Sequence, residues 1–210
     1  EGEVYDSNRY TLHGMLARLG VEITDLGVVR DDPALLEKAF HKASSAADVV
    51  ITTGGVSVGE ADFTRELMAK LGEVLFWKIA IRPGRPMAFG RIGSAFLFGL
   101  PGNPVAGMVP FYQVVRDALL HLAGRTDDYA VPLLKVKAAE PLRKVPGRTE
   151  YQRGILFREG TEWKVRTTGQ QGSGVLRSMS EANCFIVLEH ERGKADAGEQ
   201  VSVQLFEGLS

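Results

Sequence analysis

The stretch VVITTGGVSVGEADFT, residues 49–64, decides the fold because it joins a buried strand to a helix through a nearly bare turn. The run VVITT is apolar enough to be covered on both faces of a sheet. Gly54, Gly55 and Gly59 then allow positive φ angles and a close approach of a ligand to the main chain. Bare N–H groups in such a turn, followed by a helix N-terminus, indicate an anion site.

The polar side chains of this turn leave several interpretations open. The hydroxyls of Thr53 and Ser57 could donate to an anion, whereas the carboxylates of Glu60 and Asp62 suit a cation or a sugar hydroxyl. A tight strand-to-helix connection with Asp62 as the N-cap is the simpler alternative.

The letters GVSVG also match the nucleophile elbow of serine hydrolases. An elbow places its serine on the sharp turn that leaves the strand, but Ser57 lies four residues beyond Thr53. The histidines that follow, His121 and His190, fall in a predicted helix and a predicted β segment rather than in loops. The pattern therefore favours ligand binding over a catalytic triad.

Residues 1–126 alternate between helix and strand patterns, which predicts a three-layer α/β domain with a mostly parallel sheet and helices on both faces. Such sheets bind ligands beyond the carboxyl ends of their strands. Residues 127–210 form short alternating segments between turns, which predicts a small all-β domain. Helices are expected in 7–20, 30–45, 61–72 and 103–124, and strands in 21–29, 47–53, 74–81, 94–100, 132–144, 149–159, 162–171, 184–191 and 199–207.

A second glycine-bearing loop, LPGNPVA at residues 100–106, also follows a predicted buried strand. Pro101 and Pro104 fix the backbone around Gly102 and Asn103, so this loop should enter its helix rigidly. Asn103 is expected either to cap that helix or to reach a ligand.

Positive charge is concentrated in KIAIRPGRPMAFG, residues 78–90. Lys78 and Arg82 share strand parity and are expected to point the same way. Together with Arg85 they lie in or beside a loop stiffened by prolines, which favours anion binding over a solvated edge.

Four further residues are candidates whose plainer explanation is equally open. One of Asp31 and Asp32 must cap the helix that follows, and the other could hold Mg²⁺ through waters or face solvent. In the predicted β domain, Arg153 of YQRG could point at an anion, and Ser173 of TTGQQGSG offers donors in an open turn. A surface arginine and a hairpin loop would account for them as well.

Composition narrows the class of partner. The chain has 210 residues, 44% of them hydrophobic, and a net charge of −1, so bulk charge indicates neither a nucleic-acid nor a membrane partner. A single cysteine, Cys184, excludes an internal disulfide and fits a reducing, cytoplasmic compartment. The start EGEVYDSNRY lacks an initiator Met and a signal-peptide pattern, so a piece of a longer chain is expected.

Taken in order, the segments YDSNR, GVVRDD, VVITTGGVSVGEADFT, FWKIAIRPGRPMAFG, GLPGNPV, PGRTEYQRG and TTGQQGSG resemble the molybdenum insertases, or molybdopterin molybdenumtransferases. This family includes bacterial MoeA and the C-terminal part of gephyrin, and the resemblance covers nearly the whole chain. It implies a molybdopterin-binding type of α/β domain, the insertase C-terminal β domain, and a missing N-terminal portion that contributes to the site and to a homodimer.

The resemblance also implies a reaction. The substrates would be adenylylated molybdopterin and molybdate, Mg²⁺ would assist, and cleavage of the phosphoanhydride would release AMP. Asp31 and Asp62 match the essential acidic positions of the family and would hold Mg²⁺. Lys78 and Arg82 match its basic pair, although Arg82 stands where a lysine is common. The molybdopterin adenylyltransferase and molybdoenzyme acceptors are the partners it suggests.

Two alternatives use the same α/β domain: a molybdopterin adenylyltransferase-like enzyme, whose stand-alone forms lack the β domain, and a non-catalytic gephyrin-like scaffold. In the insertase interpretation, Arg153 and Ser173 match the molybdate-side residues, and the glycine turn cradles the phosphoanhydride. The full set of expected substrate-binding residues is Gly54, Gly55, Ser57, Gly59, Glu60, Pro101, Gly102, Asn103, Pro104, Arg153 and Ser173.

Overall fold

The structure is a computed structural model that describes residues 6–55, 61–126 and 129–206, with the backbone alone at 61–65. Its helices are α1 (Ser7–Arg18), α2 (Pro33–Ala46), α3 (Ala61–Leu71), α4 (Pro104–Pro110), α5 (Arg116–Leu122) and α6 (Arg177–Glu181). Its strands are β1 (Val49–Thr53), β2 (Gly72–Lys78), β3 (Ile81–Arg82), β4 (Pro86–Ile92), β5 (Ala95–Leu100), β6 (Leu133–Ala138), β7 (Thr149–Glu159), β8 (Glu162–Thr167), β9 (Cys184–Leu188) and β10 (Gln200–Leu205).

The first sheet has the strand order β1-β5-β4-β2 and confirms the α/β class. Over the described residues the sheet is mixed rather than mostly parallel: β1 and β5 run parallel, whereas β4 runs antiparallel to both β5 and β2. The reason is local, because a tight turn at Gly93 and Ser94 joins β4 to β5, and a hairpin forces antiparallel pairing. Strand β4 itself was not expected from the sequence.

Successive residues of β5 face opposite layers of helices, as the pleat of a strand requires. Leu97 packs in a cluster with Phe40 of α2 and Met68 of α3. Phe98, the next residue, packs in a cluster with Met15 of α1. The three-layer arrangement thus follows from the alternating direction of the side chains along one central strand that is buried on both faces.

One strand prediction in this half of the chain is wrong, and another holds only in part. Residues 21–29 form no regular secondary structure, although Val21 and Ile23 are half-buried while Glu22 and Thr24 are exposed. Residues 21–29 alternate in burial as a strand would, but they pair with no strand: over the described residues β1 pairs only with β5. The strand expected over 74–81 ends at Lys78, and β3 belongs to the second sheet.

The predicted helix over 103–124 forms, with a change of helix type in its middle. Pro110 lacks a backbone N–H, and directly after it Phe111–Val115 adopts a π-helical turn before α5 begins. Gly124, at φ 81°, follows the last turn as expected.

The second sheet has the order β3-β7-β8-β6-β10-β9, and a further pairing of β7 with β9 closes a ring of strands. All five β segments expected in this half of the chain form. Their inner faces bury a core that includes Val136, Val165, Ile186 and Val201. The domain boundary at 126/127 stays a prediction, since residues 127 and 128 lie outside the described residues.

An apolar cluster joins the two sheets. Val105 and Val109 of α4 pack with Met179, Phe185 and Val187 of the β domain, and all five are buried. Within residues 6–55, 61–126 and 129–206, no helix is both long and apolar enough to cross a membrane.

Candidate functional site

The two glycine-bearing loops begin side by side at the carboxyl ends of β1 and β5. Thr53 is the register partner of Leu100 in this parallel pair, and the Gly54 N–H donates to the Leu100 carbonyl at 3.0 Å. Gly54 and Gly55 have φ angles of 87° and 69°, which side chains rarely adopt. A Cβ added to Gly102 would lie 3.5 Å from the Gly54 Cα, so the two backbones nearly touch.

An asparagine from α1 fastens the two loops together. The Asn8 Nδ2 donates to Thr53 Oγ1 at 2.8 Å and to the Gly102 carbonyl at 2.7 Å. Thr53 Oγ1 in turn donates to the Pro101 carbonyl at 3.2 Å. From its position in the sequence, the Thr53 hydroxyl was expected to donate its proton to a ligand. In the structure it donates to the second loop instead. Asn8 was missed as a site residue, although it stands in the YDSNR segment.

The second loop is also bound to the β domain. Asn103 precedes α4 but makes no capping hydrogen bond with its side chain; its Nδ2 donates to Ser173 Oγ at 3.1 Å. The Val105 N–H donates to the Ser173 carbonyl at 3.0 Å. The open turn around Ser173 thus lies against the loop of Pro101 and Pro104, although 70 residues separate Asn103 from Ser173.

Arg153 lies on β7 and is almost fully buried, with 1% of its surface exposed. Its Nε donates to Ser178 Oγ at 3.0 Å, and its Nη2 donates to the Gly172 carbonyl at 3.1 Å. Burial, and then the charge of Arg82, lower the pKa of Arg153 to about 10. Arg153 is therefore a cation at neutral pH and supports the turn that contains Ser173.

Lys78 and Arg82 do not share a strand, which corrects the expectation from parity. Strand β2 of the first sheet ends at Lys78, whereas Arg82 lies on β3, which pairs with β7 in the second sheet. Both side chains are exposed. The Arg82 Nη1 contacts Glu150 Oε1 at 3.1 Å, and the buried Glu150 also accepts from Gln152 Nε2 at 3.0 Å.

An open cleft of about 600 Å³ lies between the Arg82–Pro83 turn and the β domain. Arg82, Arg143 and Arg153 contribute positive charge to its lining, and Glu140 and Glu150 contribute negative charge. Such a surface suits an anionic ligand that is held by a few directed contacts.

The neighbouring carboxylates of Asp31 and Asp32 differ in their surroundings. Asp32 caps α2, since its Oδ1 accepts from the Leu35 N–H at 2.9 Å, and Asp31 is left exposed. Asp62 lies in the first turn of α3, but its side chain is outside the described part, as are Ser57, Gly59 and Glu60 entirely. Across the described ranges, no group of three or more His, Cys, Asp or Glu side chains could hold a metal ion.

Comparison with known proteins agrees with this arrangement. Residues 1–121 match the model of a probable molybdopterin-binding domain, and residues 135–206 match the MoeA C-terminal region, domain IV. A molybdopterin molybdenumtransferase from Haemophilus influenzae is 46% identical over 209 residues, which are 99% of this chain and 52% of that protein. One from a Nostoc species is 31% identical, over 96% of this chain and 48% of the relative.

Solved structures show the same fold. A molybdopterin biosynthesis MoeA protein from Pyrococcus horikoshii superposes with a TM-score of 0.78 at 32% identity, covering 98% of this chain and 49% of the other. A molybdenum cofactor biosynthesis protein from Pyrococcus furiosus gives 0.74 at 28% identity, covering 96% and 65%. The chain spans about half the length of the curated relatives it matches.

The two family models match in the order expected from the sequence, and the candidate site lies where β1 and β5 end beside the Ser173 turn. The chain therefore belongs to the molybdopterin-binding domain family, and its second half matches the MoeA C-terminal region.

Proposed function

We propose that the chain forms the molybdopterin-binding and C-terminal part of an enzyme that inserts molybdenum from molybdate into adenylylated molybdopterin and releases AMP. The observation that carries the proposal is the pair of contacts from Ser173 to Asn103 and Val105. These contacts bring an open turn of the β domain to a strand-end loop. One site would then accommodate a nucleotide-linked pterin at the loops and a tetrahedral oxyanion at the turn.

The strand-end loops would hold the phosphoanhydride. Gly54 and Gly55 carry no side chains, so a ligand could approach their backbone closely, and the second loop, Pro101–Pro104, lies directly beside them. The Gly54 N–H is used by the Leu100 carbonyl, so the donors to the phosphates would come from Gly55 and the residues after it. In this proposal Ser57, Gly59 and Glu60 also bind the substrate. Backbone donors fixed before the ligand arrives stabilise developing negative charge without reorganisation.

The cations would divide between the two ends of the substrate. Lys78 and Arg82 would neutralise the phosphates and the leaving group, and Arg82 would exchange its contact with Glu150 for a phosphate oxygen. Arg153 and Ser173 would bind molybdate. Arg153 suits this role because it lines the cleft and contacts the turn that contains Ser173.

Mg²⁺ fits the donor set that remains. Asp32 is occupied as a helix cap, whereas Asp31 is exposed and Asp62 stands at the start of α3. Mg²⁺ in proteins is commonly held by one or two carboxylates, with phosphate oxygens and waters completing the shell. Bound there by Asp31 and Asp62, it would withdraw charge from the phosphoanhydride.

We further propose that the whole protein is a cytoplasmic homodimer. It would receive its substrate from a molybdopterin adenylyltransferase and pass its product to molybdoenzyme acceptors, without nucleic acid or membrane. The match of residues 135–206 to the MoeA C-terminal region favours this function over an adenylyltransferase-like enzyme. A Dictyostelium gephyrin is 28% identical over 237 residues, which is the observation that supports a gephyrin-like scaffold.

The proposal is tested in a chimera in which this chain replaces the aligned half of the Haemophilus relative. We expect AMP release from adenylylated molybdopterin only when molybdate is added. Asp62→Ala should lower that rate ~100-fold or more, since it removes a charged group from the reacting centre. Asp196→Ala is the matched control, because Asp196 is exposed in the β domain beside Lys194.

Three results would contradict the proposal. The first is a folded chimera that consumes ATP instead of releasing AMP, which would favour the adenylyltransferase. The second is a folded chimera that retains a partner protein but turns nothing over, which would favour the scaffold. The third is an Asp62→Ala chimera with the unmodified rate.

A further inference from the structure

We infer that Asn8 is a positioning residue: its side-chain amide sets the distance between the two strand-end loops and thereby the affinity for the nucleotide end of the substrate. The inference rests on the proposed function, because it deepens the role of those loops. Asn8 lies in the first turn of α1, and its partners Thr53 and Gly102 are 45 and 94 residues away in the chain.

The hydrogen bonds form one consistent network. The Asn8 amide nitrogen has two N–H groups and two acceptors, Thr53 Oγ1 at 2.8 Å and the Gly102 carbonyl at 2.7 Å. The Thr53 hydroxyl accepts from Asn8 and gives its own proton to the Pro101 carbonyl at 3.2 Å. A single amide thus fixes the last residue of β1 and the middle of the second loop at the same time.

Besides this network, a backbone hydrogen bond from the Gly54 N–H to the Leu100 carbonyl, at 3.0 Å, joins the two loops. Gly54 and Gly55 lack side chains, and Gly102 meets Gly54 through backbone alone. Beside them, Asn8, Thr53 and Pro104 line a small void of about 10 Å³, which is room for about one water. Asn8 is thus the side chain by which α1 is hydrogen-bonded to both loops at once.

The amide is not needed to form α1. Asp6 caps the helix by accepting from the Arg9 N–H at 3.2 Å. Met15, two turns further along α1, packs with Phe98 and Phe111 in the core. Loss of the Asn8 donors should therefore alter the loops and leave the fold in place.

The test measures binding of AMP to this chain by calorimetric titration. Asn8→Leu keeps the size of the side chain and removes both donors, and Thr53→Val removes the acceptor. We expect each to weaken AMP binding ~10-fold, as for one or two lost hydrogen bonds. The double variant should lose less affinity than the sum of the two single losses, because both variants remove the contact between Asn8 and Thr53. His13→Leu, at an exposed position of α1, should bind AMP as the unmodified chain does.

The outcomes separate this inference from the proposed function. If the unmodified chain bound no AMP, the proposed function and the inference would both fail. If it bound AMP and Asn8→Leu bound it equally well, only the inference would fail. Additive losses in the double variant would also overturn it. Should Asn8→Leu not fold, unchanged binding by Thr53→Val would be decisive against it.

Discussion

Arg153 combines a buried charge with two structural hydrogen bonds, to Ser178 and to the Gly172 carbonyl. Its guanidinium is planar and presents several donors at fixed angles, so it serves both partners at once. Its lowered pKa, about 10, still lies far above neutral pH. The folded and unfolded chains differ in how much of this proton they hold only above about pH 10. Near pH 7 both states keep the proton, so Arg153 adds no pH dependence of stability there.

Arg153→Lys keeps the charge but should lower the free energy of unfolding. A compact ammonium cannot reach both partners, and a buried acceptor left without a donor costs ~1–3 kcal/mol. Urea unfolding measures the change, and Arg158→Lys, at an exposed position of the same strand, is the control. Equal stability of the two variants would show that the hydrogen bonds of Arg153 to Ser178 and Gly172 do not stabilise the fold.

Cys184 is the single thiol of the chain and should not react in the native protein. It is fully buried, and burial raises its pKa to about 12, so almost no thiolate exists at pH 8. Titration with a disulfide reagent at pH 8 should detect no thiol before urea is added and one afterwards. Prompt labelling of the folded chain would contradict the burial of β9.

Sequence motifs pointed to individual site residues but not to the residues that these contact in space. Arg153 and Ser173 stood out by motif, but nothing in the pattern indicated that Arg153 is buried or that Ser173 contacts Asn103. Asn8 and Glu150 were missed because their partners Thr53 and Arg82 are distant in the chain, and helix or strand periodicity says nothing about such pairs.

Among the elements, the turn between β3 and β4 is held against α4 by a glycine. Gly84 has a φ of 102°, and an added Cβ would lie 2.4 Å from Pro110 Cγ and 2.9 Å from the Ala106 carbonyl. The basic residues on either side, Arg82 and Arg85, are placed by this contact. Gly14 is the opposite case, since among the described residues no heavy atom lies within 4 Å of its added Cβ.

Two glycine-to-alanine changes should therefore have opposite signs. Gly84→Ala should lower the free energy of unfolding by ~2 kcal/mol or more, through backbone strain and overpacking. Gly14→Ala should raise it by ~0.5–1 kcal/mol, since alanine favours the helix interior. Urea unfolding of both variants measures the pair. A neutral Gly84→Ala, or a destabilising Gly14→Ala, would refute the packing described for these elements.

Hydrophobic period and turn residues predicted most elements, including α1 to α3 and the strands of the β domain. They failed at 21–29 and at the break after Lys78. In both places the local pattern of a strand is present, but whether and where a strand forms depends on which neighbouring strand is available to pair with it. That is a tertiary property, as is the mixed direction of the first sheet.

At the scale of the whole molecule, the two sheets share buried surface. Val105 and Val109 of α4 pack on Phe185, and β3 from the first half of the chain pairs with β7 of the second sheet. Phe185 also contacts the rings of Tyr151 and Phe206. Such a continuous interface should make the chain unfold as one unit.

The two tryptophans report on the two sheets separately. Trp77 lies on β2 and Trp163 on β8. In Trp77→Phe and Trp163→Phe, the fluorescence of the remaining tryptophan should give urea midpoints that agree with the midpoint from circular dichroism of the same variant. Separate transitions would mean that the α/β and β parts fold independently.

The isolated chain should be a weak insertase or an inactive one. It spans about half the length of its relatives, and part of the proposed site is expected from the other half. An AMP-release assay of the chain beside the chimera checks this. Full activity of the chain by itself would contradict the expectation.

The central claim is that the loops after β1 and β5 hold the nucleotide end while the Ser173 turn holds the oxyanion. A crystal structure of the chain with AMP and molybdate tests it most directly. We predict the AMP phosphate at the backbone of Gly54, Gly55 and Gly102, and molybdate within hydrogen-bond distance of Arg153 and Ser173. Both ligands bound elsewhere, with these loops empty, would contradict it.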